Sequence, residues 1–205
     1  MKVLDLPIIR LAFSDREKSE RRIVVVNGHP DPRPERYCGA ICDAYMDGVK
    51  TQDVKARYLA VGEVAPGPSG FLPNRGYGGV SDKVASAIDD LRWANWLVIV
   101  FPLWLNGPPP SLQAMFHAYG EQLKRIGMPQ GTMTRPKDGH IIVTMSMPSI
   151  LFGIGRSRSS GNPLSLCLKG VEPRRTTFIG GVEGLSDKAR TQWLSDVRSV
   201  GRRGM

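Results

Sequence analysis

The chain has 205 residues, 41% hydrophobic and 23% charged, which suits one globular domain with a full hydrophobic core. Its 28 basic and 19 acidic residues give a net charge of +9, which favours anionic partners such as phosphorylated cofactors, nucleic acids or membrane surfaces. No apolar run approaches the roughly 20 residues of a membrane span, and no signal peptide is recognisable, so a cytoplasmic location is expected.

Strand and helix patterns alternate along the chain. Strands are predicted at residues 23–27, 54–61, 96–101, 140–145 and 176–182. Helices are predicted at residues 37–50, after the Ser81–Asp82 cap, after Pro110, from Asn162–Pro163 to Gly170, and from Ser186–Asp187. This alternation predicts a doubly wound α/β fold, with a five-stranded parallel sheet, right-handed connections and helices on both faces.

Residues 1–22 lie outside this alternation and end in the charged run SDREKSERR. We expect residues 1–22 to form an exposed N-terminal extension, either ordered or disordered. A single domain would follow over residues 23–205.

The cysteines and histidines do not have the spacing of a metal site or a disulfide framework. Cys38 and Cys42 would share one helix face, where small buried thiols are common. The histidines, at positions 29, 117 and 140, are scattered. The sequence therefore predicts no metal.

The first strand runs into a loop, within IVVVNGHPDPRPERYCGAI, that holds a histidine and two arginines. In a doubly wound sheet, ligands bind beyond the carboxyl ends of the strands, and a following helix presents free N–H groups there. His29, Arg33 and Arg36 add donors and charge, which predicts a phosphate cradle. The alternative is a solvated turn that its prolines stiffen. No GxGxxG or Walker pattern is present, which argues against a Rossmann dinucleotide site or a P-loop.

Two further loops leave strands at the same predicted edge. FPLWLNGPPPSLQAMF, residues 101–116, would offer backbone groups to a flat polar ring, with Trp104 stacking on it or walling it; a tight turn packed by one aromatic is the alternative. In TMSMPSILFG, residues 144–153, the hydroxyls of Thr144 and Ser146 can donate to a ligand, while Met145 and Met147 also fit a core.

HPDPRPERYCGAI, FPLWLNGPPPSLQAMF and TMSMP, in this order and spacing, resemble the flavodoxin-like NAD(P)H:quinone reductase family. The resemblance covers about residues 23–200. It implies a flavin, FMN or FAD, that takes a hydride from NADPH or NADH. It also implies ping-pong transfer of two electrons to a quinone or related electrophile, in a homodimer with active sites at the subunit interface.

Carried across by motif, the resemblance implies three groups of flavin-binding residues. The flavin phosphate would meet His29, Arg36, Tyr37 and Cys38. The isoalloxazine would be lined by Pro102, Leu103, Trp104, Leu105, Asn106 and Gly107. Its pyrimidine edge would be bordered by Thr144, Met145, Ser146 and Met147. Because the cofactor carries the chemistry, no catalytic side chain is singled out. Arg156 is a candidate cation beside the ring, with a surface role as its alternative.

Several positions depart from the family pattern. The serine of the phosphate loop is replaced within Pro34–Glu35–Arg36, and Ser146 stands where a glycine is usual. Gln113 replaces a lysine, and Leu105, followed by Asn106, replaces an aromatic. These departures leave the acceptor open. They also support an alternative function as a non-catalytic or weakly catalytic regulatory subunit of a membrane transporter.

A third hypothesis, binding to nucleic acid or an anionic surface, rests on the net charge alone. The basic stretch at residues 156–175 is not interleaved with aromatics, as a groove for single strands would be. We therefore expect no nucleic-acid partner.

Overall fold

The computed structural model describes residues 21–33, 35–65, 67–71, 81–104, 107–125, 137–147 and 171–203. The strands are β1 (Arg22–Asn27), β2 (Lys55–Ala60), β3 (Trp96–Pro102), β4 (Lys137–Thr144) and β5 (Val171–Ile179). The helices are α1 (Tyr37–Val49), α2 (Val61–Val64), α3 (Asp82–Trp93), α4 (Pro110–Arg125) and α5 (Asp187–Arg203), with a 3-10 turn at Pro68–Phe71. The helix predicted from Asn162–Pro163 to Gly170 lies outside the described residues, as do residues 1–20 of the extension predicted over residues 1–22.

The five strands form one parallel sheet in the order β2-β1-β3-β4-β5, which confirms the predicted doubly wound α/β architecture. The order changes direction between β1 and β3, and in such sheets ligands bind outside the carboxyl ends of the strands at this point. The register brings Asn27 level with Val100, and Thr144 level with Pro102 and Ile179. The ends of β1, β3, β4 and β5 therefore share one rim.

Each face of the sheet is buried under helices, because its strands carry apolar residues on both sides. On one face, Val24, Ile99 and Phe101 pack with the apolar sides of α3 and α4. On the other face, Ile23, Val25 and Val100 pack with α1 and α5. Burial on both faces explains why β1 and β3 are continuous apolar runs rather than alternating ones.

The sequence predictions differ most from the structure at the fifth strand and in the segment after β2. The fifth strand was predicted at residues 176–182 but covers Val171–Ile179. Pro173 does not prevent the earlier start because β5 is an edge strand, where a missing N–H donor is tolerated. The strand ends before Gly180 because Gly181 adopts a φ of +65° and turns the chain. Between β2 and Ser81, where the sequence patterns predict no helix, the structure contains α2 and the 3-10 turn.

The predicted helix starts are confirmed where the structure describes them. The Ser81 hydroxyl accepts a hydrogen bond from the Val84 N–H at the start of α3. The Ser186 hydroxyl does the same for the Ala189 N–H at the start of α5. Both are N-cap bonds, which satisfy N–H groups that the first turn of a helix leaves free. Among the described helices, none is both long and apolar enough to cross a membrane.

Candidate functional site

Backbone hydrogen bonds fasten the loops at the sheet rim to neighbouring strands. The Gly28 N–H donates to the Val100 carbonyl at 2.7 Å, so the loop after β1 lies against the end of β3. The Leu103 N–H donates to the Thr144 carbonyl at 2.7 Å and joins the ends of β3 and β4. The three loops in which the sequence places candidate site residues are thus anchored side by side.

The loop after β1 is ordered by a chain of side-chain hydrogen bonds. The Asn27 carboxamide accepts from the His29 N–H at 3.1 Å and donates to the Tyr58 hydroxyl at 3.1 Å. His29 Nδ1 in turn accepts from the Asp31 N–H at 3.0 Å. With Nδ1 acting as acceptor, the neutral ring carries its proton on Nε2, which is then a donor. Burial is the main cause that lowers the pKa of His29, and it favours this neutral ring.

Asp31 binds both arginines of this loop. Its carboxylate accepts from Arg33 Nε at 3.0 Å and from Arg36 Nε at 2.8 Å, and these hydrogen bonds hold the pKa of Asp31 well below its ordinary value. With Glu35 also present, two arginines face two carboxylates and the loop carries no net formal charge. Attraction for an anion must therefore come from directed N–H groups rather than from the total charge of the loop.

Such directed groups are present at the start of α1. Arg36 occupies the N-cap position but its side chain makes no capping hydrogen bond, and the first turn contains no acidic residue. Free N–H groups and the positive end of the helix dipole make this terminus receptive to a phosphate. Tyr37 is half-buried and Cys38 is buried at the same end of the helix.

Cys38 ties the start of α1 to the end of β4. Its Sγ lies 3.4 Å from Thr144 Oγ1, and burial raises the pKa of the Cys38 thiol to about 11. Burial also raises the pKa of Cys42, so both residues remain thiols at neutral pH. Both are buried, as the sequence predicted.

The loop after β3 presents an aromatic surface at the rim. Trp104 and Gly107 exchange two backbone hydrogen bonds of 3.0 and 2.6 Å, which close a tight turn. The Trp104 side chain is 46% exposed, although an aromatic of this size is ordinarily well buried. Pro102, Leu103 and Gly107 are partly buried, whereas the predicted site residues Leu105 and Asn106 lie outside the described part of the chain.

The loop after β4 divides its candidate residues between core and rim. Thr144 and Met145 are buried, so Met145 belongs to the core. Ser146 and Met147 are exposed, Met147 at 49%. The Ser146 hydroxyl donates to Glu183 Oε1 at 2.8 Å. The candidate cation Arg156 lies outside the described residues.

Sequence reasoning missed three residues that organise this rim: Asn27, Tyr58 and Glu183. An asparagine that ends an apolar strand was a usable signal, because a buried amide requires partners. Tyr58 and Glu183 gave no such signal, since Tyr58 meets the site through the pairing of β2 with β1 and Glu183 through the turn after β5. Within the described ranges, no group of three or more histidine, cysteine or acidic residues could hold a metal ion.

Comparisons with known proteins agree with this architecture. A family model described as the flavodoxin-like fold matches residues 21–195. No curated protein sequence matches the chain significantly.

Three solved structures are similar along nearly the whole chain. A protein from Streptococcus mutans UA159 is 17% identical, with a TM-score of 0.60, over 89% of this chain and 99% of its own. An NAD(P)H:quinone oxidoreductase from Methanothermobacter marburgensis is 16% identical, with a TM-score of 0.61, over 89% and 96%. An FMN-dependent NADH-azoreductase from Bacillus anthracis, solved with FMN, is 12% identical, with a TM-score of 0.60, over 89% and 99%. At these identities the likeness shows a shared fold, and together with the family match it establishes that the chain belongs to the flavodoxin-like fold family.

Proposed function

We propose that this protein is a flavin-dependent NAD(P)H oxidoreductase that passes two electrons to a quinone or a related electrophile. The observation that carries the proposal is the shared rim, where an uncapped helix N-terminus and a half-exposed tryptophan follow neighbouring strands. A phosphate-bearing aromatic cofactor needs both features. The names of two similar structures, a quinone oxidoreductase and an FMN-dependent azoreductase, support the same class of reaction.

The chemistry of the donors fits a flavin better than it fits a highly charged ligand. The loop after β1 carries no net formal charge. It therefore suits one phosphate, held by backbone N–H groups and by the Nε2–H of His29. The loop after β1 packs closely at Gly28. A Cβ atom at this position would be 2.7 Å from Leu112 Cδ2. Trp104 and Met147 supply apolar surface beside it. FMN, with a single phosphate, is the form we favour over FAD.

In the proposed mechanism the flavin, when bound, supplies the redox chemistry by taking a hydride from NADH or NADPH and returning two electrons to the acceptor. The protein residues bind and orient it. Donors at the start of α1 would hold the phosphate, and the turn from Trp104 to Gly107 would present backbone groups to the ring. We further propose that both substrates use this rim in turn, which gives ping-pong kinetics, and that the protein is a homodimer.

The test is flavin binding by the purified protein. We expect stoichiometric FMN, a yellow colour that NADH or NADPH bleaches without oxygen, and recovery of the colour on adding a quinone. Chromatography of the released cofactor distinguishes FMN from FAD. Protein that stays colourless after both flavins are supplied contradicts the proposal. Flavin that binds but is not reduced favours the alternative function as a regulatory subunit.

Replacing His29 with alanine is expected to weaken FMN binding about tenfold, the usual cost of losing one hydrogen bond to a charged group. Riboflavin, which has no phosphate, should lose less than about twofold in affinity, since the ring contacts lie elsewhere. Both dissociation constants can be measured at pH 8 by quenching of flavin fluorescence.

His29→Asn is the matched control for this experiment. Its side-chain oxygen can still accept from the Asp31 N–H, as His29 Nδ1 does at 3.0 Å, but it lacks the Nε2–H donor. We expect the asparagine variant to lose FMN affinity like the alanine variant. If asparagine restores the affinity, His29 acts by ordering the loop and makes no contact with the phosphate.

A further inference from the structure

Glu183 lies in the turn after β5, and this turn is fixed against the loop after β4. The Met145 N–H donates to the Ile179 carbonyl at 2.9 Å, and the Val182 N–H donates to the Met145 carbonyl at 3.1 Å. The Gly181 N–H donates to the Met147 carbonyl at 3.0 Å. Glu183 is therefore held beside Met147 by the backbone.

The Glu183 carboxylate is oriented by a second contact. Ser146 donates its hydroxyl proton to Glu183 Oε1 at 2.8 Å, across the two loops. Both side chains are exposed at the rim that also carries the half-exposed Trp104 and Met147. A charged molecule that rests on this rim would therefore experience the electrostatic field of the Glu183 carboxylate.

In the described part of the chain, no cation forms an ion pair with this carboxylate. The guanidinium group in the same region, Arg190, donates to the carbonyls of Val182 at 2.7 Å and Leu185 at 3.2 Å, and lies 5.2 Å from the centre of the Tyr37 ring. Arg190 thus holds the turn in shape. Glu183 places a negative charge at the rim of a protein whose net charge is +9.

We propose that Glu183 is a specificity-determining residue, which makes this rim accept neutral or cationic flat acceptors and disfavour anionic ones. The inference deepens the proposed function and rests on it for the role of the rim as the acceptor site. Its physical basis is Coulomb repulsion, which at a partly solvated separation of several ångströms changes affinity by about fivefold. The repulsion should fade as salt screens the two charges.

The experiment compares two ligands of similar shape, anthraquinone-2-sulfonate and its neutral 2-hydroxymethyl analogue. Their dissociation constants are measured by calorimetry without nicotinamide, on both the flavin-free and the FMN-supplied protein. We expect the neutral ligand to bind about fivefold more tightly than the sulfonate at low salt, and the ratio to shrink towards one at about 0.5 M salt.

Glu183→Gln removes the charge and keeps an oxygen that accepts from Ser146, so the turn should stay in place. We expect this variant to bind both ligands equally. Asp53→Asn changes the net charge by the same amount, but it lies in the loop before β2, at the opposite end of the sheet, and should keep the wild-type ratio.

An unchanged ratio in Glu183→Gln, an equal loss of the ratio in Asp53→Asn, or failure of both ligands to bind overturns the proposal. Failure of the proposed function has a different signature. In that case FMN does not bind or is not reduced, whereas the ligand ratio is still measured on the flavin-free protein.

Discussion

Replacing Gly201 with alanine is expected to lower the free energy of unfolding by about 3 kcal/mol, at the upper end of the usual cost of overpacking. Gly201 lies in α5 where this helix crosses α1. A Cβ atom at this position would be 2.4 Å from the Tyr45 carbonyl oxygen. At the same crossing, a Cβ on Gly48 would be 2.2 Å from the Arg198 carbonyl oxygen. Since both obstacles are backbone atoms, the helices must separate to admit a methyl group.

Separation of the helices would loosen one whole face of the sheet. Val197 and Val200 of α5 pack in the same apolar cluster as Ile41 and Tyr45 of α1. Widening the crossing reduces those contacts, and dispersion attraction falls off within a fraction of an ångström.

Gly120→Ala is the control, because it places the same substitution in α4. A Cβ there meets no atom of the residues that the structure describes within 4 Å. We expect it to raise the free energy of unfolding by about 0.5–1 kcal/mol, the usual difference between alanine and glycine inside a helix. Unfolding in guanidinium chloride measures both variants. If Gly201→Ala is as stable as the wild type, the two helices do not cross as closely as described.

The order of strands and helices could be predicted from the sequence because it depends on local patterns. Continuous β-branched runs such as residues 23–26 mark strands that are buried on both faces, and Ser81 and Ser186 mark helix starts. Boundaries were less predictable where tertiary position decides them. Pro173 fits inside β5 only because that strand lies at the sheet edge, and no local pattern reveals which strand is an edge.

The location of the candidate site could be predicted from the sequence, whereas only some of its contacts could. Loops that follow parallel strands must meet at one rim, so His29, Trp104 and Ser146 could be grouped from strand order alone. The partners of their side chains could not. Asp31 binds both arginines of its loop, and Glu183 reaches Ser146 from a separate loop. Such contacts depend on the folded path of the chain rather than on residue type.

The other large effect that we expect is a loss of stability below pH 6.5 that depends on His140. This histidine of β4 is 1% exposed, and its Nε2 lies 2.9 Å from Thr177 Oγ1. Its Nδ1 is buried with no partner among the described residues. Burial, and secondarily the charge of Arg175, lower the pKa of His140 from 6.5 to about 4. The ring is therefore neutral in the folded protein, and it also packs edge-on against Tyr45.

The sign of the effect follows from proton binding. Between pH 6.5 and 4, the unfolded chain protonates this histidine and the folded chain does not, so the unfolded state takes up more protons. The contribution of His140 to the free energy of unfolding is constant above pH 6.5. It falls as the pH decreases through this window, and it levels off below about pH 4. The loss from His140 should reach about 3 kcal/mol, since each unit of pKa difference corresponds to about 1.4 kcal/mol.

His140→Gln tests this prediction, because glutamine can still bond to Thr177 but does not titrate. We expect the variant to be less stable than the wild type at pH 7, and the difference to shrink or reverse by pH 4. Comparing the two proteins isolates His140 from His29, whose pKa is also lowered and which acts in the same direction. Parallel profiles for wild type and His140→Gln from pH 7 to 4 would show that this ring is not the group that resists protonation in the core.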